Sequence, residues 1–368
     1  MKSFKSLFGI GVLVSGTIVT LVLSALFFLS ATRSGQRWVL DRMIREVNTS
    51  VKGRVSVEDI KTDWIHKGVR LVGVKGELDE GTAFFSIDSL DVEYSAFQIM
   101  RGQVNFSDLV LWNPVLRLER DQETGQLNSE IFFDQSDLIH SLTEAALIQG
   151  SIENGSGILF QRVTIFDGRV AISRDVLPER GVWEGLAPSR GFAGEELEFE
   201  EIQAQISSIS IEGEEAQDIR IGLDRLIFVG TGFHDTLKVT DFGGGVFWAD
   251  QELQVRVDRI MLGQSEATGL VAFDISEDRG SNFSLNLVSA EFDFNDLRWI
   301  NPTLPMARGS GEFQFFANPA GLEFRWGNME LDLGSGQIVA NGLFSRPTGS
   351  VGVLEDAFLD LEDVPVSS

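Results

Sequence analysis

From Leu7 to Leu29 the chain is apolar apart from Gly, Ser and Thr, and carries no charge. At 1.5 Å rise per residue such a stretch makes a helix of roughly 34 Å, enough to cross a hydrocarbon core of ~30 Å. Lys2 and Lys5 would suit the basic start of a signal peptide. The run is long for a signal sequence, however, and no convincing small-x-small cleavage site follows it, so an uncleaved single-span anchor is expected. From Gln36 to Asn48 the residues Val39, Leu40, Met43, Ile44 and Val47 recur at spacings of three and four. That spacing predicts an amphipathic helix, either capping the first sheet or lying at a membrane interface.

After Val51 the period drops to two. Leu90-Val92-Tyr94, Leu253-Val255-Val257 and Leu322-Phe324-Trp326 each put apolar residues on one face with polar or charged residues between. Met329-Leu331-Leu333 continues the third run after a slip at Gly327-Asn328, which predicts a bulge or tight turn. Strands recur every ten to fifteen residues or so, punctuated by Asp79-Glu80-Gly81, Glu123-Thr124-Gly125 and Asn318-Pro319-Ala320-Gly321. Gly243-Gly244-Gly245 reads as a turn, and a short helix is expected near Asp137 to Gln149. The predicted architecture is mainly β: one transmembrane helix, then an elongated, curled antiparallel-type sheet.

Composition narrows the partners. Net charge is −25 over 368 residues, which argues against nucleic acid, because phosphate binding gains from Lys and Arg, and equally against electrostatic docking of the body onto anionic lipid, so that lipid contact is expected to be apolar. Cysteine is absent. That fits an oxidising compartment or a fold large enough to need no staples. The acidic run from Gly181 to Asp218, with ten carboxylates from Glu184 to Asp218 against Arg190, lacks the Asp-x-Asp-x-Asp-Gly order of a calcium loop and reads as a solvated insertion. His66, His140 and His234 are far apart, and no Cys pair, phosphate-cradling loop or nucleophile elbow is present. No enzyme active site, cofactor or metal site is expected.

Orientation divides two arguments. Arg33, Arg37, Arg42, Arg45, Lys52 and Arg54 follow the apolar run, which by charge counting would keep the body in the cytoplasm. The cysteine-free β body points instead to export. The body is therefore expected outside the cytoplasm.

Three stretches together resemble the AsmA-like superfamily, which includes the TamB proteins of Gram-negative envelopes. The first is Gly68-Val69-Arg70-Leu71-Val72-Gly73-Val74, followed by a strand at Ile87 to Tyr94 and by Gly102 to Phe106 running into Leu109-Val110-Leu111-Trp112-Asn113-Pro114-Val115-Leu116-Arg117-Leu118-Glu119-Arg120. The second, Val163 to Ile172, reads as two short strands flanking an Asp167-Gly168 turn. The third, Gly243 to Asp274, carries a strand at Leu253 to Ile260 and then Gly263 to Asp274. The resemblance implies an inner-membrane anchor, a periplasmic sheet rolled into an open apolar groove, and no catalytic residues. It also implies a part in moving phospholipid outward or in outer-membrane protein assembly.

The resulting organisation is a short cytoplasmic segment (1–6), an anchor (7–29), an amphipathic helix (30–49) and a first β unit (50–130). A linker or short helix (131–155) and an extended sheet (156–368) with the acidic insertion near 181–218 complete it. The last residues, Phe358 to Val364, alternate like one more strand without a capping signal, so the chain is expected to be the front part of a longer one. Val92, Val255, Val257, Leu322, Phe324, Trp326 and Leu331 are the candidate groove lining. The expected partners are membrane lipid and an outer-membrane β-barrel protein. The alternatives to lipid transport are a strand-pairing scaffold for outer-membrane proteins and a membrane-tethered β-domain with a closed core.

Overall fold

The computed structural model describes residues 33–63, 68–78, 83–94, 105–121, 125–132, 158–173, 196–212, 218–233, 235–249, 252–274, 282–299, 302–304, 306–318, 320–334, 336–348 and 350–362. The anchor at Leu7–Leu29, the helix near 137–149, the turn at 79–81, the first half of the acidic run, residues 363–364 and all three histidines lie outside them. Among the described residues no helix is long and apolar enough to cross a membrane.

Helix α1 (Arg33–Ser50) leads into β1 (Arg54–Ser56), β2 (Asp59–Asp63), β3 (Gly68–Glu77), β4 (Ala83–Tyr94), β5 (Asn105–Trp112) and β6 (Val115–Leu118). Helix α2 (Asn128–Phe132) follows, then β7 (Ile158–Phe160), β8 (Val163–Ser173), β9 (Glu196–Glu212), β10 (Asp218–Thr231), β11 (Leu237–Ala249) and β12 (Glu252–Leu262). The last strands are β13 (Ser265–Asp274), β14 (Asn282–Asp293), β15 (Arg308–Asn318), β16 (Gly321–Asp332), β17 (Gln337–Pro347) and β18 (Val353–Glu362).

All 18 strands belong to one long, curved sheet. From β8 to β18 each strand pairs antiparallel with the next. The sheet is nonetheless mixed, where an antiparallel-type one was expected: β5 runs parallel to β7 and β8, and β6 parallel to β8. The reason is connectivity. The long segment after α2 lets the chain return in the same direction, which a hairpin forbids.

Three sequence expectations give way. Asp167-Gly168 is not a hairpin turn but a break inside the single strand β8, where Asp167 takes φ 55°. Opposite it, Asn113 (φ 49°) and Pro114 interrupt the collinear β5 and β6, and Glu201 (φ 54°) bulges β9. Three adjacent strands break at one level, so the ladder bends there without ending. Gly243-Gly244-Gly245 likewise lies within β11; a Cβ at Gly244 would run into the carbonyl oxygen of Arg256 on β12, so close strand approach, not a turn, asks for glycine. From Glu196 to Glu212 the acidic run is no insertion. There it is β9, with Leu197, Ala204 and Ile206 directed into the sheet and Glu196, Gln203 and Gln205 exposed.

The slip at Gly327-Asn328 is a bulge as expected, with Asn328 at φ 51° and the pairing with β17 shifting between Trp326 and Met329. The Asn318 turn also forms: its Oδ1 accepts from the backbone N–H groups of Ala320 (2.9 Å) and Gly321 (3.1 Å).

Among the described residues a compact core cluster lies at the N-terminal end. Val51, Phe84 and Phe132 are buried together, with Val55, Leu78, Phe85 and Leu116 packed around them. Phe132 is 0% exposed, its ring 4.5 Å from that of Phe84. The Phe132 carbonyl accepts from Lys52 N–H at 3.1 Å. Asn48 ties α1 to β1 by two bonds, donating to Val55 O (3.1 Å) and accepting from Val55 N–H (2.6 Å).

Candidate functional site: the apolar face of the sheet

Residues opposed across a ladder point to the same side, so the registers define each face of the sheet. One row starts at Val69 and runs through Val92, Leu109, Val163, Ile206, Leu223, Gly244 and Val257. It continues through Gly269, Leu287, Phe313, Trp326 and Gly342. Every member is apolar or glycine. A second row on the same face joins Ile209, Ile221, Val246, Val255, Val271, Leu285, Phe315, Phe324, Phe344 and Leu354. A third carries Ile219, Trp248, Leu253, Phe273, Phe283, Ala317 and Leu322 before ending at Arg346.

Past mid-strand the alternation would flip to the other side without a correction. Bulges supply it: the pairings skip between Val257 and Ile260, between Leu287 and Ala290, and between Trp326 and Met329. Each inserts one residue, so Ile260, Ala290 and Met329 stay on the face of Val257, Leu287 and Trp326. The bulges fall on alternate strands at one level, as strands that fold along a common line require. Beyond them Phe292, Gly309, Leu331, Ile338 and Leu361 extend the apolar face.

All seven sequence candidates thus share one face: Val92 and Val257 in one row with Trp326, Val255 with Phe324, then Leu322, and Leu331 beyond the bulge line. Val257 is buried and the other six are half-buried. Sequence reading missed Val246, Val271, Leu285, Leu287, Phe315 and Phe344. The period-two signal was available in each of their strands, but only the register shows that they adjoin Phe324 and Val255.

The curl is directed toward this face. From β12 to β17 the buried apolar strand residues Val257, Ala290, Phe292, Phe315, Ala317 and Ala340 all lie on it, whereas Leu270 and Phe316 on the opposite face are exposed. Aromatic rings line part of it continuously: Phe292 to Phe313 (5.5 Å), Phe313 to Phe324 (6.2 Å) and Phe324 to Trp326 (5.5 Å between centroids). The Trp326 ring covers Gly342, where a Cβ would collide with it. Its indole N–H is buried and has no acceptor. Among the described residues no second sheet covers the face, because all their strands share one sheet and make their main contacts with ladder neighbours. The described helices sit at the N-terminal end, α1 against β1 and β2 and α2 in the Phe132 cluster.

The opposite face is mixed, with Phe247, Leu270, Phe316 and Leu343 set among polar and charged residues. Arg220, Gln254, Arg256, Ser284, Asn286, Gln314, Glu323 and Arg325 alternate with the apolar rows. Asp241 bridges Arg259 (3.2 Å) and Arg225 (3.7 Å), and Arg259 reaches Glu266 at 3.2 Å. Such exposed pairs add little stability but keep this side wet. On β3 and β4 the Arg70 guanidinium grips Asp91, and that pairing raises its affinity for its proton.

One rim of the apolar face is fastened by a polar latch. Asp296 Oδ2 accepts from Gln264 N–H (2.7 Å), Ser265 N–H (2.9 Å) and Ser265 Oγ–H (2.9 Å), drawing the segment after β14 over the β12–β13 hairpin. Trp299 on that segment stacks edge-on against Phe233 at 5.3 Å. Buried Asp293 accepts from Asn295 N–H (2.9 Å) and Arg308 Nε–H (2.8 Å). The backbone bond from Asn295 is the main influence, and with Arg308 it outweighs burial to hold this carboxyl below the ordinary carboxylate range.

No protein-family model matches the sequence, and no curated protein matches it.

Proposed function

We propose that this protein is an envelope component, anchored in the inner membrane by Leu7–Leu29 with its body in the periplasm. There its curved sheet would form an open groove that shelters phospholipid acyl chains between inner and outer membrane. One observation carries the reading: the apolar rows from Val69 to Gly342 and from Ile209 to Leu354, which no second layer covers among the described residues. A contiguous apolar surface of this length is costly in water and marks a binding face. Acyl chains need only apolar walls, which fits the lack of charge on the rows. The resemblance to the AsmA-like superfamily points the same way, and no step in this function calls for catalysis or a cofactor.

The test is site-specific photocrosslinking in cells. Photoreactive residues replacing Val255 and Phe324 should capture phospholipid, while the same groups at the outward neighbours Arg256 and Arg325 should not. If inward positions never capture lipid in a protein that still supports envelope growth, the groove reading fails.

A second reading, a scaffold that pairs with strands of outer-membrane proteins, draws on β18. Among the described residues this strand pairs with β17 alone, and Leu354, Phe358 and Leu359 on it are 59%, 56% and 62% exposed. An apolar strand edge of this kind invites an added strand. Photoreactive groups at Phe358 would then capture polypeptide instead of lipid.

A further inference from the structure

Helix α1 has two unlike sides. Leu40 is 5% exposed, Ile44 one turn on is half-buried, and the Asn48 clamp fixes the helix to β1. Trp38, Arg42, Arg45 and Thr49 follow at steps of four, three and four, which places them along one stripe diametrically opposite Leu40. All four are exposed, Trp38 to 58%. A tryptophan left in water on a well-anchored helix gains nothing from the fold.

The charge around it is equally out of keeping with the molecule. The chain has net charge −25, yet Arg33 to Arg54 holds six basic residues against Asp41 and Glu46. Arg37, Arg42, Arg45, Lys52 and Arg54 are exposed there. An amphipathic indole with guanidinium groups beside it matches the boundary of an anionic bilayer, where the ring sits among headgroups and the cations meet phosphate. A nucleic acid offers the same phosphates, but a membrane alone adds an apolar layer beneath them for the Trp38 indole, and α1 follows directly on the expected anchor Leu7–Leu29.

We propose that α1 lies flat on an anionic lipid surface through Trp38, Arg42 and Arg45, while the Asn48 clamp to Val55 holds the sheet to the helix. The N-terminal end of the ladder, β1 to β4, is thereby pressed against the headgroups, and the apolar row begins at Val69 beside the bilayer. The docking is independent of what the groove carries.

The chain has no cysteine, so Ser34→Cys, next to the stripe, gives a unique attachment point for a spin label. The labelled full chain is placed in nanodiscs of neutral lipid or with about a third anionic phospholipid. Co-elution with the disc reports the anchor; collision with a water-soluble paramagnetic reagent reports α1. We expect the label to be shielded several-fold more in anionic discs. Arg42→Gln with Arg45→Gln should shift the docked equilibrium by about thirty-fold and abolish the difference. Arg220→Gln with Arg256→Gln, the same charge change on the sheet's outer face, should leave it intact. Equal accessibility in the two lipids, an indifferent Arg42/Arg45 variant with normal helix content, or a chain that does not associate with anionic discs would each overturn the proposal.

Discussion

A ladder in which each strand touches chiefly its neighbours should unfold by parts, and Phe132→Ala tests this. The Phe132 ring is fully buried, 4.5 Å from Phe84 and 5.9 Å from Phe85, and anchors the compact core cluster. Truncating a buried phenylalanine typically costs about 3–5 kcal/mol, and two aromatic contacts go with it here. In a nearest-neighbour assembly that loss stays local. It should appear in hydrogen exchange as a fall of roughly two to three orders of magnitude in amide protection across 51–56, 74–77, 84–86 and 115–118. Protection in β12 to β17, which share no contact with the cluster, should change by less than about threefold. A uniform loss along the whole sheet would refute the reasoning and make the ladder a single cooperative body.

Gly342→Ala sends a methyl group into the Trp326 ring and should cost about 1–3 kcal/mol in urea unfolding, with Trp326 fluorescence shifting because the ring must move. An unchanged midpoint would mean that the ring does not rest on the glycine. Asp293 binds its proton less tightly folded than unfolded, so its contribution is complete above about pH 4 and disappears as pH falls through the lower folded value. Asp293→Asn should destabilise at pH 7 and flatten the acid limb of the stability profile; an identical acid limb would place the sensitivity elsewhere. Leu354→Lys with Leu359→Lys on the exposed β18 edge should improve solubility without lowering thermal stability by more than a few degrees. A large fall would show those side chains to be packed.

Period-two alternation made the β class legible, and at Gly327-Asn328 even the bulge could be read, because the apolar residues visibly change parity there. Glycine and Asp-Gly misled where they serve sheet curvature. Gly243-Gly244-Gly245 and Asp167-Gly168 have turn composition, yet the partner strand continues past each of them, and that continuity is tertiary information. The acidic stretch hid β9 because the glutamates occupy the wet positions of a strand whose inward residues, Leu197, Phe199, Ile202 and Ala204, are spaced by a bulge at Glu201. The seven groove candidates could each be placed on an apolar strand face. Their union on one face could not, since register across bulges decides whether Val92 and Trp326 look the same way. Parallel pairing of β5 and β6 with β8 had no local signature at all.

The central claim is that the concave apolar face holds lipid, and native mass spectrometry of the full chain extracted gently from membranes tests it most directly. The account predicts phospholipid adducts on the wild type that are lost in Phe324→Asp and Val255→Asp, both variants retaining β-sheet content, while Arg325→Asp on the outer face keeps them. A wild type free of lipid, or inward variants carrying as much as the wild type, would contradict it.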